Sequence, residues 1–152
     1  MSGTSLSATR RELLSVTGAF VLAAAAPLIL PTGSTHGEPL RETVTVAADE
    51  PIPNFSGKRL VSHVVDYPPG ASSAAHRHAP SAFIYAYVIS GEIRSQINGE
   101  PARVYRAGEA WFENPGAHHA VSANASESEP ARLLAVLVVD ADDKQLVTPD
   151  PH

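Results

Sequence analysis

From Glu38 onward the chain is a succession of short strand-like runs, each closed by a turn signal, with no amphipathic helix among them. Alternating or short apolar runs bounded by Gly, Pro or Asn read as β-strands. Eleven prolines and six glycines supply the punctuation there. Strands are expected over residues 42–47, 59–65, 83–90, 92–97, 102–106, 109–113, 119–123 and 132–139. Residues 49–57 read as a turn-rich joint, and Asn98-Gly99 is the strongest hairpin signal in the chain. Residues 132–139 are almost continuously apolar, which predicts a strand buried on both faces. The tail from Asp140 is acidic and polar, and no element is expected there. Near-regular strands with turns between them predict an all-β sandwich or barrel, with residues 38–152 as one jelly-roll domain.

Composition narrows the functions available. Hydrophobic residues make up 43% of 152, enough for a packed core. A net charge of −5 gives no electrostatic footprint for nucleic acid or for an anionic membrane. The chain has no cysteine, which excludes disulfides, thiolate ligands, iron–sulfur clusters and cysteine nucleophiles. Any metal must be held by nitrogen and oxygen.

The N-terminus reads as an address rather than as fold. Arg10-Arg11-Glu-Leu-Leu14 precedes an apolar stretch over residues 16–30. A basic region followed by an apolar region is the layout of a secretory signal. The paired arginines resemble a bacterial twin-arginine signal. Residues 31–37 form the cleavage region, so residues 1–37 are the signal segment and His36 leaves with it. The mature chain is then exported, periplasmic or secreted, with no stable membrane partner. An uncleaved anchor is the competing reading, although Gly18 and Pro27 interrupt the apolar run.

The chemistry lies in two histidine segments. His76-Arg77-His78 puts two imidazoles on one face of a strand. A further pair, His118-His119, follows the turn Asn114-Pro115-Gly116. Imidazole is the commonest metal ligand, and this spacing suggests one mononuclear site. Alone, the tripeptide also reads as a solvated loop beside Pro80. Neighbours on a strand face opposite sides, so only one of His118 and His119 can face an ion. Two residues are candidate catalytic groups. Glu113 could be a base, an acceptor behind the ligands, or a solvated strand-end carboxylate. Gln96 could face the cavity or water. His63, among valines, reads as structural, and Tyr85 and Tyr87 read as core. Ser90 and Ser95 lack the Gly-x-Ser-x-Gly signature of a hydrolase. There is no Gly-rich phosphate loop, so no organic cofactor is expected.

Together the two segments resemble the cupin family of small jelly-roll barrels. The first cupin motif runs Gly, five residues, His-x-His, three or four residues, Glu, six residues, Gly; Gly70, His76, His78 and Gly91 match it. The second runs Gly, five residues, Pro-x-Gly, two residues, His, three residues, Asn; Gly108, Gly116 and His119 match it. The resemblance spans residues 60–139. Three positions depart. Asn114 replaces the first Pro of the second motif, the final Asn is displaced by one residue to Asn124, and Ile84 stands where the first motif has its Glu.

The resemblance implies that His76, His78 and His119 hold one divalent transition metal. Without the Glu, three neutral imidazoles would leave the ion its full charge, a strong Lewis acid that favours Fe, Zn, Ni or Cu over Mg and Mn. The implied activity is oxidation of a small molecule by dioxygen, as in a dioxygenase-like oxidoreductase. A non-enzymatic cupin module binding a small ligand or the metal, and a metal-free barrel, are the other readings. The resemblance also implies a homodimer joined through edge strands.

Overall fold

The computed structural model describes residues 40–151. The signal segment expected at residues 1–37 lies outside the described residues. Ten strands follow in order: β1 (Thr43–Pro51), β2 (Lys58–Tyr67), β3 (His76–His78), β4 (Phe83–Ser90), β5 (Glu92–Ile97), β6 (Arg103–Arg106), β7 (Ala110–Glu113), β8 (His118–Asn124), β9 (Ala131–Asp140) and β10 (Val147–Pro149). They form two five-stranded antiparallel sheets, β1-β2-β9-β4-β7 and β10-β3-β8-β5-β6. The described residues contain no helix. This is the all-β, jelly-roll-type architecture expected.

Local chemistry explains several joints. Asn98 and Gly99 adopt positive φ of 50° and 77°, and the Glu100 N–H donates to the Ile97 carbonyl at 2.9 Å. Only Asn or Gly takes two such residues in succession cheaply, so the β5–β6 hairpin turns there. Gly91, at φ 72°, joins β4 to β5 and carries the chain from one sheet to the other. A Cβ at Gly91 would stand 2.6 Å from the Pro130 carbonyl oxygen, so a side chain is excluded by backbone as well as by φ.

The inward faces of the sheets make the core. One cluster gathers Val65, Tyr67, Ala86, Val88, Ile93, Trp111 and Leu133; a second gathers Val61, Ala82, Ile84, Leu137 and Val139. Ile84, Ile93, Val88 and Val139 are essentially inaccessible. Burying each such side chain contributes roughly 1.5–3 kcal/mol.

Four local expectations are corrected. The joint expected at residues 49–57 begins later, because β1 continues through Pro51, paired with Arg59. β9 is central, but only its inward residues are buried; Leu134, Val136 and Val138 face outward and are half-buried. Tyr85 and Tyr87 are not core. Ile84, Ala86 and Val88 take the inward face of β4, so the tyrosines lie outside, where Tyr85 meets Phe112 and Phe112 stacks on Phe83. The tail forms β10, which pairs with β3 and flanks the His-x-His segment.

Candidate metal centre

β3 and β8 bring the histidine segments together by register. His76 pairs directly with His119, and Arg77 pairs with His118. Directly opposed residues in an antiparallel ladder share a face, so His76 and His119 both point inward while Arg77 and His118 point away. His78, two residues along, returns to the inward face. The ring centroids lie 4.8 Å apart for His76 and His78, 5.2 Å for His76 and His119, and 6.0 Å for His78 and His119. One nitrogen from each ring falls within 4.8 Å of the others, so the three can hold a metal ion.

The surrounding groups orient these rings. His76 Nδ1–H donates to the Ala74 carbonyl at 2.7 Å, which leaves the Nε2 lone pair free. His119 Nε2 lies 3.0 Å from Ser95 Oγ, and His119 is only 4% exposed. Burial pushes its pKa down to about 4, against the opposing pull of Glu113. Burial also lowers the pKa of His76. Both favour the neutral imidazole that a metal requires.

Glu113 stands beside the three histidines. It is 2% exposed, with Oε2 3.0 Å from His78 Nε2 and Oε1 3.4 Å from His119 Nδ1. Trp111 Nε1–H donates to Oε1 at 3.0 Å. Burial alone would raise the carboxyl pKa; the imidazoles of His78 and His119 and the indole N–H outweigh it and hold it below the ordinary value.

The rings stand in a cavity of about 300 Å³ between the two core clusters. Its walls are mainly aliphatic, from Val65, Ile84, Ala86, Leu133, Ala135 and Leu137. Val44 and Val147 are partly exposed and mark its mouth. Tyr67 Oη contacts Ser73 Oγ and Ser122 Oγ, each at 2.8 Å, and all three residues line the wall. Burial raises the Tyr67 pKa, so its phenol is neutral.

A family model described as a cupin domain matches residues 63–137. Over these residues the chain is cupin-like. Solved cupin-like structures agree. A recombinant oxalate oxidase in complex with glycolate is 26% identical with a TM-score of 0.53; the match covers 66% of this chain and 52% of the oxidase. A DMSP lyase from Ruegeria pomeroyi is 23% identical with a TM-score of 0.56, covering 74% of this chain and 54% of the lyase. A cupin-like protein from Thermotoga maritima is 19% identical with a TM-score of 0.53, covering 72% and 75%. The chain thus spans about half the length of the oxidase and the lyase. No curated protein sequence matches it.

Within the cupin fold the expected site residues separate cleanly. His76, His78 and His119 converge, and His118 does not. His118 Nε2 instead meets Asp150 Oδ2 at 2.7 Å. Glu113 is not a solvated strand-end carboxylate, because β7 carries it inward beside Trp111. Gln96 does not line the cavity. Ile93 and Ser95 hold the inward face of β5, and the Gln96 amide donates to the Glu100 carbonyl in its own hairpin at 2.9 Å. Asn124, displaced from its motif position, is buried and donates through Nδ2 to the Pro68 and Glu129 carbonyls at 3.0 and 2.8 Å, so it ties loops together. Sequence reasoning weighed Ser95 only as a nucleophile and passed over Tyr67, Ser73 and Ser122. A small polar residue at an inward parity position, as Ser95 is between Ile93 and Ile97, was the available signal.

Proposed function

We propose that this chain is an exported metal-dependent cupin that oxidises a small molecule with dioxygen, using one divalent transition metal held by His76, His78 and His119. The observation that carries the reading is the convergence of these three imidazoles in one apolar cavity. The likeness to an oxalate oxidase supports an oxidative role. When bound, a transition metal supplies open positions and Lewis acidity. The protein supplies the rest. The aliphatic walls exclude water and select an apolar body. Tyr67 offers a neutral phenol, and Ser73 and Ser122 set its direction.

The cavity also limits the substrate. Among the described residues, no lysine or arginine lines it. A dianion such as oxalate would find no cationic side chain for its second charge, and burying an unpaired charge is costly. A neutral or singly charged molecule with an aliphatic body fits better. The mainly aliphatic area of the wall also favours a second reading, a ligand-binding module without turnover.

The test is oxygen uptake by the full chain, stripped of metal and then reconstituted with Fe(II), Cu(II), Ni(II) or Zn(II), over a panel of small enols, monocarboxylates and oxalate. Metal-dependent uptake with an enol or monocarboxylate supports the oxidase. Metal and ligand binding without turnover supports the module. A wild-type chain that binds no metal ends both metal-dependent readings.

A further inference from the structure

Glu113 holds a position that the first histidine motif explains. Counting back from Gly91, the motif's carboxylate belongs at residue 84, where this chain has isoleucine. In the β4–β7 ladder, Ile84 pairs directly with Glu113. Directly opposed residues share a face and sit about 5 Å apart at Cβ. Both line the cavity. The carboxylate absent from β4 is therefore present on the neighbouring strand, at the same level and on the same side.

Its polar contacts are unusual for a buried carboxylate. Oε1 accepts from the Trp111 indole at 3.0 Å and lies 3.4 Å from His119 Nδ1. Oε2 lies 3.0 Å from His78 Nε2, but the pair is too poorly aligned for either atom to be well hydrogen-bonded among the described residues. His78 Nδ1 is without a partner there. Two buried polar atoms this close without a well-aligned hydrogen bond are rare, because each loses its water and gains little. A shared cation resolves the deficit. Donor atoms bound at ~2.1 Å and at right angles to one another stand ~3.0 Å apart.

We infer that Glu113 is the fourth protein ligand, a carboxylate carried across the strand pair from position 84 and aimed through Oε2 by the Trp111 hydrogen bond. The inference rests on the three-histidine metal reading and changes its chemistry. The donor set becomes three imidazoles and one carboxylate, and the loaded centre carries one positive charge instead of two. Oxygen donation brings Mn(II) back among the fitting ions, which three neutral imidazoles disfavour.

The experiment measures metal affinity of the full chain by calorimetry, with Mn(II) and Zn(II) titrated separately into chelator-stripped protein. Glu113→Gln keeps the shape and the Trp111 contact but removes the anion. It should weaken Mn(II) at least 100-fold, beyond the ten- to hundredfold typical of groups behind the ligands, and weaken Zn(II) less. The Cu(II) form should show an altered paramagnetic resonance spectrum. Moving the carboxylate back, as Glu113→Ala with Ile84→Glu, should restore Mn(II) affinity to within about tenfold of wild type. Circular dichroism verifies folding of each variant. Should the variants not fold, infrared difference spectra of the wild type decide, since Mn(II) should shift a carboxylate stretch. Wild-type affinity and an unchanged spectrum in Glu113→Gln overturn the inference, as does an absent carboxylate shift. A wild type that binds no ion overturns the metal reading itself, which is a separate result.

Discussion

His118 and His119 are consecutive, yet they serve opposite sides of one strand: His119 faces the cavity with Nε2 3.0 Å from Ser95 Oγ, while His118 reaches outward to Asp150 Oδ2 at 2.7 Å. The contrast makes a sharp test of the centre. His119→Ala should lower metal affinity at least 100-fold, since it removes a whole ligand. His118→Ala should leave metal affinity unchanged and cost about 1 kcal/mol or less, because its contact with Asp150 is partly exposed. Calorimetric titration and urea unfolding of both variants check this. The reverse pattern would shift the second motif by one residue.

Acid should destabilise the metal-free chain before any general unfolding by charge. Unfolded histidine takes up its proton near pH 6.5. In the folded apo chain His119 does so only near 4, and His76 is also lowered, both by burial. Between those values the unfolded chain binds more protons, so stability is complete above about pH 6.5 and falls as the pH drops toward 4. His119 alone should contribute a loss on the order of 3 kcal/mol. Urea midpoints at pH 7.5 and pH 4.5, with chelator present, measure it. Equal midpoints would contradict the buried neutral imidazole.

Gly91 and Gly99 both need positive φ, but only one is enclosed. A Cβ at Gly91 would strike the Pro130 carbonyl at 2.6 Å, whereas Gly99 has nothing within 4 Å. Gly91→Ala should therefore cost about 2–4 kcal/mol, from left-handed strain plus backbone displacement, and Gly99→Ala only about 1 kcal/mol. Thermal unfolding of the two variants distinguishes them, and similar losses would mean that the crowding at Gly91 relaxes freely.

Export through a twin-arginine signal, as proposed, depends on the paired arginines Arg10 and Arg11. Arg10→Lys with Arg11→Lys should leave the precursor in the cytoplasm, because a twin-arginine signal is recognised through that pair. Cell fractionation and immunoblotting read the outcome. Normal export of the double variant would assign the segment to another pathway.

Sequence alone determined what depends on period and on local turn chemistry. Strand alternation put His76 and His78 on one face and set His118 against His119. Asn98-Gly99 marked its hairpin because few other pairs take two positive φ values. The two motifs then joined His119 to the His-x-His pair through a resemblance that no local rule supplies. Tertiary structure decided what depends on which strands become neighbours. β7 lies beside β4 with Glu113 opposite Ile84, a pairing between segments well separated in the chain, and this turned a strand-end carboxylate into a buried one. Gln96 faced away because Ile93 and Ser95 took the inward face of β5, and Tyr85 and Tyr87 faced outward because Ile84, Ala86 and Val88 took that of β4. β10 carried too weak a pattern to announce itself and exists by pairing with β3. Alternation is legible in a single strand, but which face meets the core, and which strand lies alongside, is settled only when the two sheets close on each other.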